Sequence, residues 1–419
     1  MKKNQSKLPP FLKRRMVGYT PWDRGLFLCI LAIIIGVLGI LFLKESPFLR
    51  EGTSLQKYAS QVLIKCASSS YRPACYDKEI PKLMDFISME EAFEVTKLVQ
   101  GKDPNYWYCH VLGHNISARE TARDPDKWME VLTRCPSGMC SNGCLHGSFQ
   151  ERFRTEVLTN ERLASITSDL KGICEQHADW RPTGLEQASC YHAMGHLLMY
   201  MTGADIKKSL GMCDIVALKE DGRNYLPVCN DGVFMQIYQP LEPEDFALVE
   251  GITPTRQTHK EFCSQFTGQA RSSCWNEGWP LYWGDVNTSK GLVEFCNAFL
   301  AGADRARCFE ALFFLMPTQF KFDTSQMVAL CGGIEERALR NRCFANGAAR
   351  LIETDARLIK RAVSFCKQAE AFKSGEACYK ELIKYSTFNF HPGSKEFHAL
   401  CSALPDPWRI KCEKGIYEN

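Results

Sequence analysis

The hydrophobic pattern changes character once along the chain. Gly25 to Leu43 is an unbroken apolar run without a charged residue. Beyond it, apolar residues recur at helical spacing to the C-terminus. Nineteen residues at about 1.5 Å rise span about 28 Å, one hydrocarbon core. The run therefore predicts a transmembrane signal-anchor helix. The competing reading, a cleaved signal peptide, lacks a small-residue cleavage site after the run. Seven Lys or Arg precede the span, against Asp23 alone, which keeps the N-terminus cytoplasmic. This predicts a basic cytoplasmic tail (1–24), the span (25–43), a juxtamembrane linker (44–56) and an extracytoplasmic domain (57–419). The lipid bilayer is then the partner of residues 25–43.

In the C-terminal part the apolar positions are periodic and keyed to cysteine. Cys263 pairs with Cys274, Cys296 with Cys308, Cys331 with Cys343, Cys366 with Cys378, and Cys401 with Cys412, and the pairs recur about every 35 residues. Leu292, Met327, Ala362 and Phe397 stand four residues before the first cysteine, and Phe295, Leu330, Phe365 and Leu400 stand one before. Positions −4, −1 and 0 share a helical face. Thr288, Asp323 and Ser394 upstream are N-cap residues. The second cysteine opens another apolar helical run, as in Cys308 to Met316. Each unit thus predicts a helix, a loop of about ten residues bridged by a disulfide, and a second helix. A period near 35 is that of a two-helix solenoid repeat.

Upstream the same logic pairs Cys66 with Cys75, Cys174 with Cys190, and Cys213 with Cys229. Cys109, Cys135, Cys140 and Cys144 break the pattern. Cys135–Cys144 has the separation of Cys66–Cys75, which leaves Cys109 for Cys140; Cys109–Cys135 with Cys140–Cys144 is the alternative. Of 21 cysteines only Cys29 falls in the apolar run. The remaining even number suits ten bridges in an oxidising compartment. A Cys₃His zinc site from Cys135, Cys140, Cys144 and His146 competes with that pairing.

The all-α, disulfide-stapled hairpin array resembles Sel1-like and tetratricopeptide repeat proteins in period and in helix–loop–helix placement. That resemblance implies architecture and no functional residues.

Charge removes one class of function. The whole chain is +3 and residues 1–24 carry +6, so the body is mildly acidic and offers no basic field for nucleic acid. Candidate chemistry lies with histidine. Five of the nine histidines fall on three successive second helices. His110, His146 and His192 share one repeat position; His114, Gln150 and His196 stand four residues later; Asp231 takes the first position in the next repeat. Residues i and i+4 share a helix face, and imidazole with carboxylate is a ligand set for Zn²⁺, Cu²⁺ or Fe²⁺. His110, His114, His146, His192, His196 and Asp231 are the predicted metal ligands, with Gln150 and His177 accessory. Gly113, Gly147 and Gly195 would let the helices approach closely. The long loops 174–190 and 213–229, with His177, Asp179, Trp180, Arg181, Glu220, Asp221 and Arg223, are candidate binding loops. The aromatic groups Tyr106–Tyr108 and Trp275–Trp283 are candidate groove linings. Three functions follow: a metal-dependent enzyme or metal-binding protein, a scaffold holding a protein or small-molecule ligand on its concave face, and a metal-free His/Asp acid–base enzyme.

Overall fold

The computed structural model describes residues 47–136, 139–153, 157–176, 180–241 and 243–415. The predicted membrane span and His177 lie outside these residues. Among the described residues no helix is long and apolar enough to cross a membrane. Residues Tyr58–Asn419 form one compact unit. The regular secondary structure of its described residues is helical, with helices joined by turns and an isolated β-bridge between Leu218 and Asn224.

The helices start where local chemistry allows. Thr288, Asp323 and Ser394 each accept a backbone N–H of the first turn of their helices. The −4 and −1 positions turn inward: Leu292, Met327, Ala362, Phe295, Leu330, Phe365 and Leu400 are all buried. The ten predicted disulfides are present. In the regular hairpins Cys66 is bonded to Cys75, Cys174 to Cys190, Cys213 to Cys229, Cys263 to Cys274 and Cys296 to Cys308. Cys331 is bonded to Cys343, Cys366 to Cys378 and Cys401 to Cys412. The irregular couple is Cys109 with Cys140 and Cys135 with Cys144. Every cysteine after Cys29 is therefore spent in a bridge, which rules out a Cys₃His zinc site. Ten disulfides point to an oxidising, extracytoplasmic location.

Eight second helices build the centre: α1 (His110–Arg123), α2 (Gly143–Phe153), α3 (Gly184–Thr202), α4 (Leu226–Tyr238), α5 (Gly268–Glu277), α6 (Gly302–Gln319), α7 (Arg337–Thr354) and α8 (Gly375–Asn389). Each packs against the next, and α8 returns to pack against α3. Further contacts seal the closure. Arg357 hydrogen-bonds Gln100 and the Lys97 carbonyl, and the Arg350 guanidinium lies over the Tyr108 ring. The concave face expected of an open array is thus curled around a partly open cavity of about 340 Å³. Apolar residues on either side of it form two cores, one within 132–274 and one within 275–412.

Candidate metal centre

The histidine helices meet on backbone. A Cβ on Gly147 would lie 2.1 Å from the His114 carbonyl oxygen, and one on Gly232 would lie 2.0 Å from that of His192. Only glycine allows α1–α2 and α3–α4 this approach. The two couples carry related sequences: His110-x-x-Gly113-His114 before Cys144-x-His146-Gly147-x-Phe149, and His192-x-x-Gly195-His196 before Cys229-x-Asp231-Gly232-x-Phe234.

Close approach gathers five imidazoles. The His146 ring centre is 4.9 and 5.1 Å from those of His110 and His114, and 5.5 and 5.6 Å from those of His192 and His196. Ligand atoms of His110, His114 and His146 all lie within 4.8 Å of one another and could hold a metal ion. His110, His114, His146 and His196 are buried, while His192 is less so. Burial depresses all five side-chain pKa values, that of His114 to about 3; neighbouring imidazoles depress those of His110, His114, His146 and His192 further.

The hydrogen bonds fix which nitrogen is bare. His110 Nδ1 donates to the Ser141 carbonyl at 3.2 Å, and His114 Nδ1 donates to Gln150 Oε1 at 2.8 Å. A neutral imidazole has one N–H, so both Nε2 atoms present lone pairs. They face each other at 3.0 Å. Two lone pairs at that separation repel unless a cation accepts both. Adjacent ligands on an ion about 2.1 Å away stand roughly 3.0 Å apart at a right angle and roughly 3.4 Å at the tetrahedral angle. The donor set therefore fits a metal.

The turn that supplies the Ser141 carbonyl is strained. Cys140, Ser141 and Asn142 have φ of 52°, 47° and 57°, three successive non-glycine residues in the left-handed region, each costing on the order of 1 kcal/mol or more. The Cys109–Cys140 bridge ties this turn to the start of α1.

Of the other predicted residues, Gln150 orients His114, as above. Asp231 lines the cavity, but its Oδ2 accepts from Arg307 Nη2 at 2.5 Å. The charged groups of the long loops mostly pair with one another: Arg223 binds Asp221 and Glu175 on the exposed surface. Tyr108 and Trp279 line the cavity, whereas Tyr106 is buried on Asp77.

A second group, His259 with Cys263 and Cys274, also has metal-like spacing. Its cysteines form a disulfide, so no thiolate exists. The His259 ring stacks on Trp275, with centres 4.7 Å apart, and its Nε2 is 3.2 Å from the Cys274 carbonyl. It is a packing group.

Sequence reasoning missed the far wall of the cavity. Glu277 is half-buried, and its pKa is pushed well above the ordinary carboxylate range by desolvation and then by Asp231; Gln239 donates to it. Arg350 donates to Glu353 at 2.7 Å and to Thr318 at 3.0 Å. Arg350 and Glu353 reach the site only because the array closes, so no local signal marks them. Gln236 was findable: it follows Cys229 by seven residues, where Gln150 follows Cys144 by six. Comparison with family models, curated proteins and solved structures gave no match.

Proposed function

We propose that the protein is a metal-dependent enzyme of an extracytoplasmic compartment, anchored through residues 25–43, with a divalent transition metal on the Nε2 atoms of His110, His114 and His146. The observation that carries this reading is the facing pair of bare Nε2 lone pairs at 3.0 Å. Three protein ligands leave coordination positions open, as catalytic sites do and closed structural sites do not. Such an ion, whether Zn²⁺, Cu²⁺ or Fe²⁺, supplies Lewis acidity or an activated water. The cavity is lined by Asp231, which Arg307 holds, by the Arg350–Glu353 pair and by Glu277, whose pKa is raised by desolvation. These groups suit a small polar substrate.

The alternatives have less support. The cavity of about 340 Å³ has the size for a small molecule rather than for a folded partner. A metal-free His/Asp base would place a carboxylate on an imidazole, but these rings are held by carbonyl and amide oxygens.

Elemental analysis of the full chain, purified in detergent without an affinity metal, tests the reading. At least one equivalent of a transition metal is expected. His110→Ala with His114→Ala should remove it while the disulfides stay formed. A chain that stays metal-free after exposure to Zn²⁺, Cu²⁺ and Fe²⁺ contradicts the reading.

A further inference from the structure

The second glycine-tight couple, α3–α4, carries its own donor set. His196 Nδ1 donates to Gln236 Oε1 at 2.7 Å. The amide of Gln236 cannot flip without loss, because its Nε2 donates to Asp245 Oδ1 at 2.8 Å. Asp245 is held in turn by the Tyr200 hydroxyl and the Leu241 N–H. This buried chain fixes the tautomer, so His196 Nε2 is bare.

His192 stands one turn earlier on the same helix face. Its Nε2 faces two atoms: His196 Nε2 at 3.2 Å and the Met235 sulfur at 3.3 Å. The bare His196 Nε2 and a thioether sulfur thus both stand within 3.3 Å of His192 Nε2. Met235 occupies the repeat position that Gln150 holds in α2, six residues after the disulfide cysteine. The substitution exchanges an orienting amide for a thioether at the cavity wall.

We infer that His192, His196 and Met235 form a second metal site, separate from the three-histidine site and selective for a soft ion, Cu(I) in preference to Zn(II). Imidazole accepts both ions, whereas a thioether is a poor ligand for Zn(II) and a good one for Cu(I). The two sites share no ligand, so occupancy of one does not presuppose the other. His146 stands between them, with ring centres about equally far from both pairs. The outcome is two inequivalent ions facing one cavity, one on three imidazoles and one on two imidazoles and sulfur.

The test is anaerobic titration of the metal-free full chain in detergent with Cu(I), against a chromogenic Cu(I) chelator. Parallel Zn(II) titration and copper K-edge absorption complete it. Wild type should take two equivalents of Cu(I), with sulfur scattering at about 2.3 Å from half of the copper. Met235→Leu, close in volume and apolar, should remove the sulfur signal and weaken one equivalent at least tenfold. His196→Ala should abolish that equivalent and leave the other. In wild type already holding Zn(II) at the three-histidine site, a further equivalent of Cu(I) should still bind. One equivalent of Cu(I) or none in wild type, or copper without sulfur scattering, overturns the second site. One equivalent lost with His114→Ala but kept in Met235→Leu does so while leaving the three-histidine reading intact. No uptake of either metal overturns both.

Discussion

Between α1 and α2, and again between α3 and α4, the second helices of neighbouring hairpins meet on glycine. Between α6, α7 and α8 they are embedded in Phe309, Leu312, Phe313, Phe344, Leu351 and Leu382. Both regions use the same bridge from the end of one helix to the start of the next. The later hairpins keep a constant phase and fill the space with apolar side chains. The earlier ones lose the phase, lengthen their loops and bring glycine and imidazole to the contact between neighbouring second helices. At the position two residues after the second cysteine, the early hairpins carry His146, His192 and Asp231, and the late ones Glu310, Ala345 and Lys380. Uniform repeats hold the ring closed. Departures from uniformity supply its chemistry.

The contrast can be broken at the disulfides, where the largest effects are expected. Replacing Cys366 and Cys378 by Ser should cost about 3 kcal/mol and leave metal content unchanged. Replacing Cys109 and Cys140 should cost about 4 kcal/mol by the same loop argument, and should also reduce metal content. The bridge holds the left-handed turn whose Ser141 carbonyl orients His110. Denaturant midpoints with elemental analysis read both. Equal metal loss in the two variants would erase the distinction.

Glycine comes next. Gly147→Ala drives a methyl group into the His114 carbonyl and should cost about 3 kcal/mol, the upper part of the overpacking range. Gly347→Ala in α7 meets only the ends of Phe365 at 3.0 Å and Met327 at 3.3 Å. It should cost less than about 1 kcal/mol, part of it recovered through helix propensity. Comparable midpoints for the two variants would contradict the account of close approach.

Gln150→Leu removes the acceptor that fixes His114. It should weaken metal binding at the three-histidine site by about 10–100-fold, with little change in the stability of the metal-free protein. Competition against a calibrated chelator measures it.

The smallest change is expected from His259→Phe. Burial holds the His259 pKa at about 4, against about 6.5 when unfolded. Below 6.5 the unfolded chain takes up the proton first, so stability falls as pH drops from about 6.5 to 4 and is intact above. The five clustered histidines act with the same sign. The midpoint of metal-free wild type should decline across this window, and His259→Phe should remove only a small share of the slope.

Much of this was legible in the sequence because it is local. The 35-residue phase, the N-caps at Thr288, Asp323 and Ser394, and the ten bridges all follow from spacing within a hairpin. The separation that Cys135–Cys144 shares with Cys66–Cys75 favoured the irregular Cys109–Cys140 over its alternative, and that bridge is the one formed. The shared register of the five histidines was legible for the same reason. Ring closure was not, because it depends on small rotations accumulated over eight hairpins. With it went the parts of the site that closure delivers, Arg350, Glu353 and the cavity they line. Asp231 shows the limit of register alone. It stands at the repeat position of His146, but Arg307 from α6 claims its carboxylate. No spacing within one hairpin reveals a partner 76 residues away.

Anomalous diffraction from crystals of the metal-loaded protein, collected on both sides of the absorption edge of the ion found by elemental analysis, tests the central claim most directly. The account predicts an anomalous peak about 2.0–2.2 Å from the Nε2 atoms of His110, His114 and His146, with Gln150 Oε1 still on His114 Nδ1. A histidine cluster without a peak, its Nε2 atoms bonded to ordered water while metal sits only on exposed carboxylates, would contradict it.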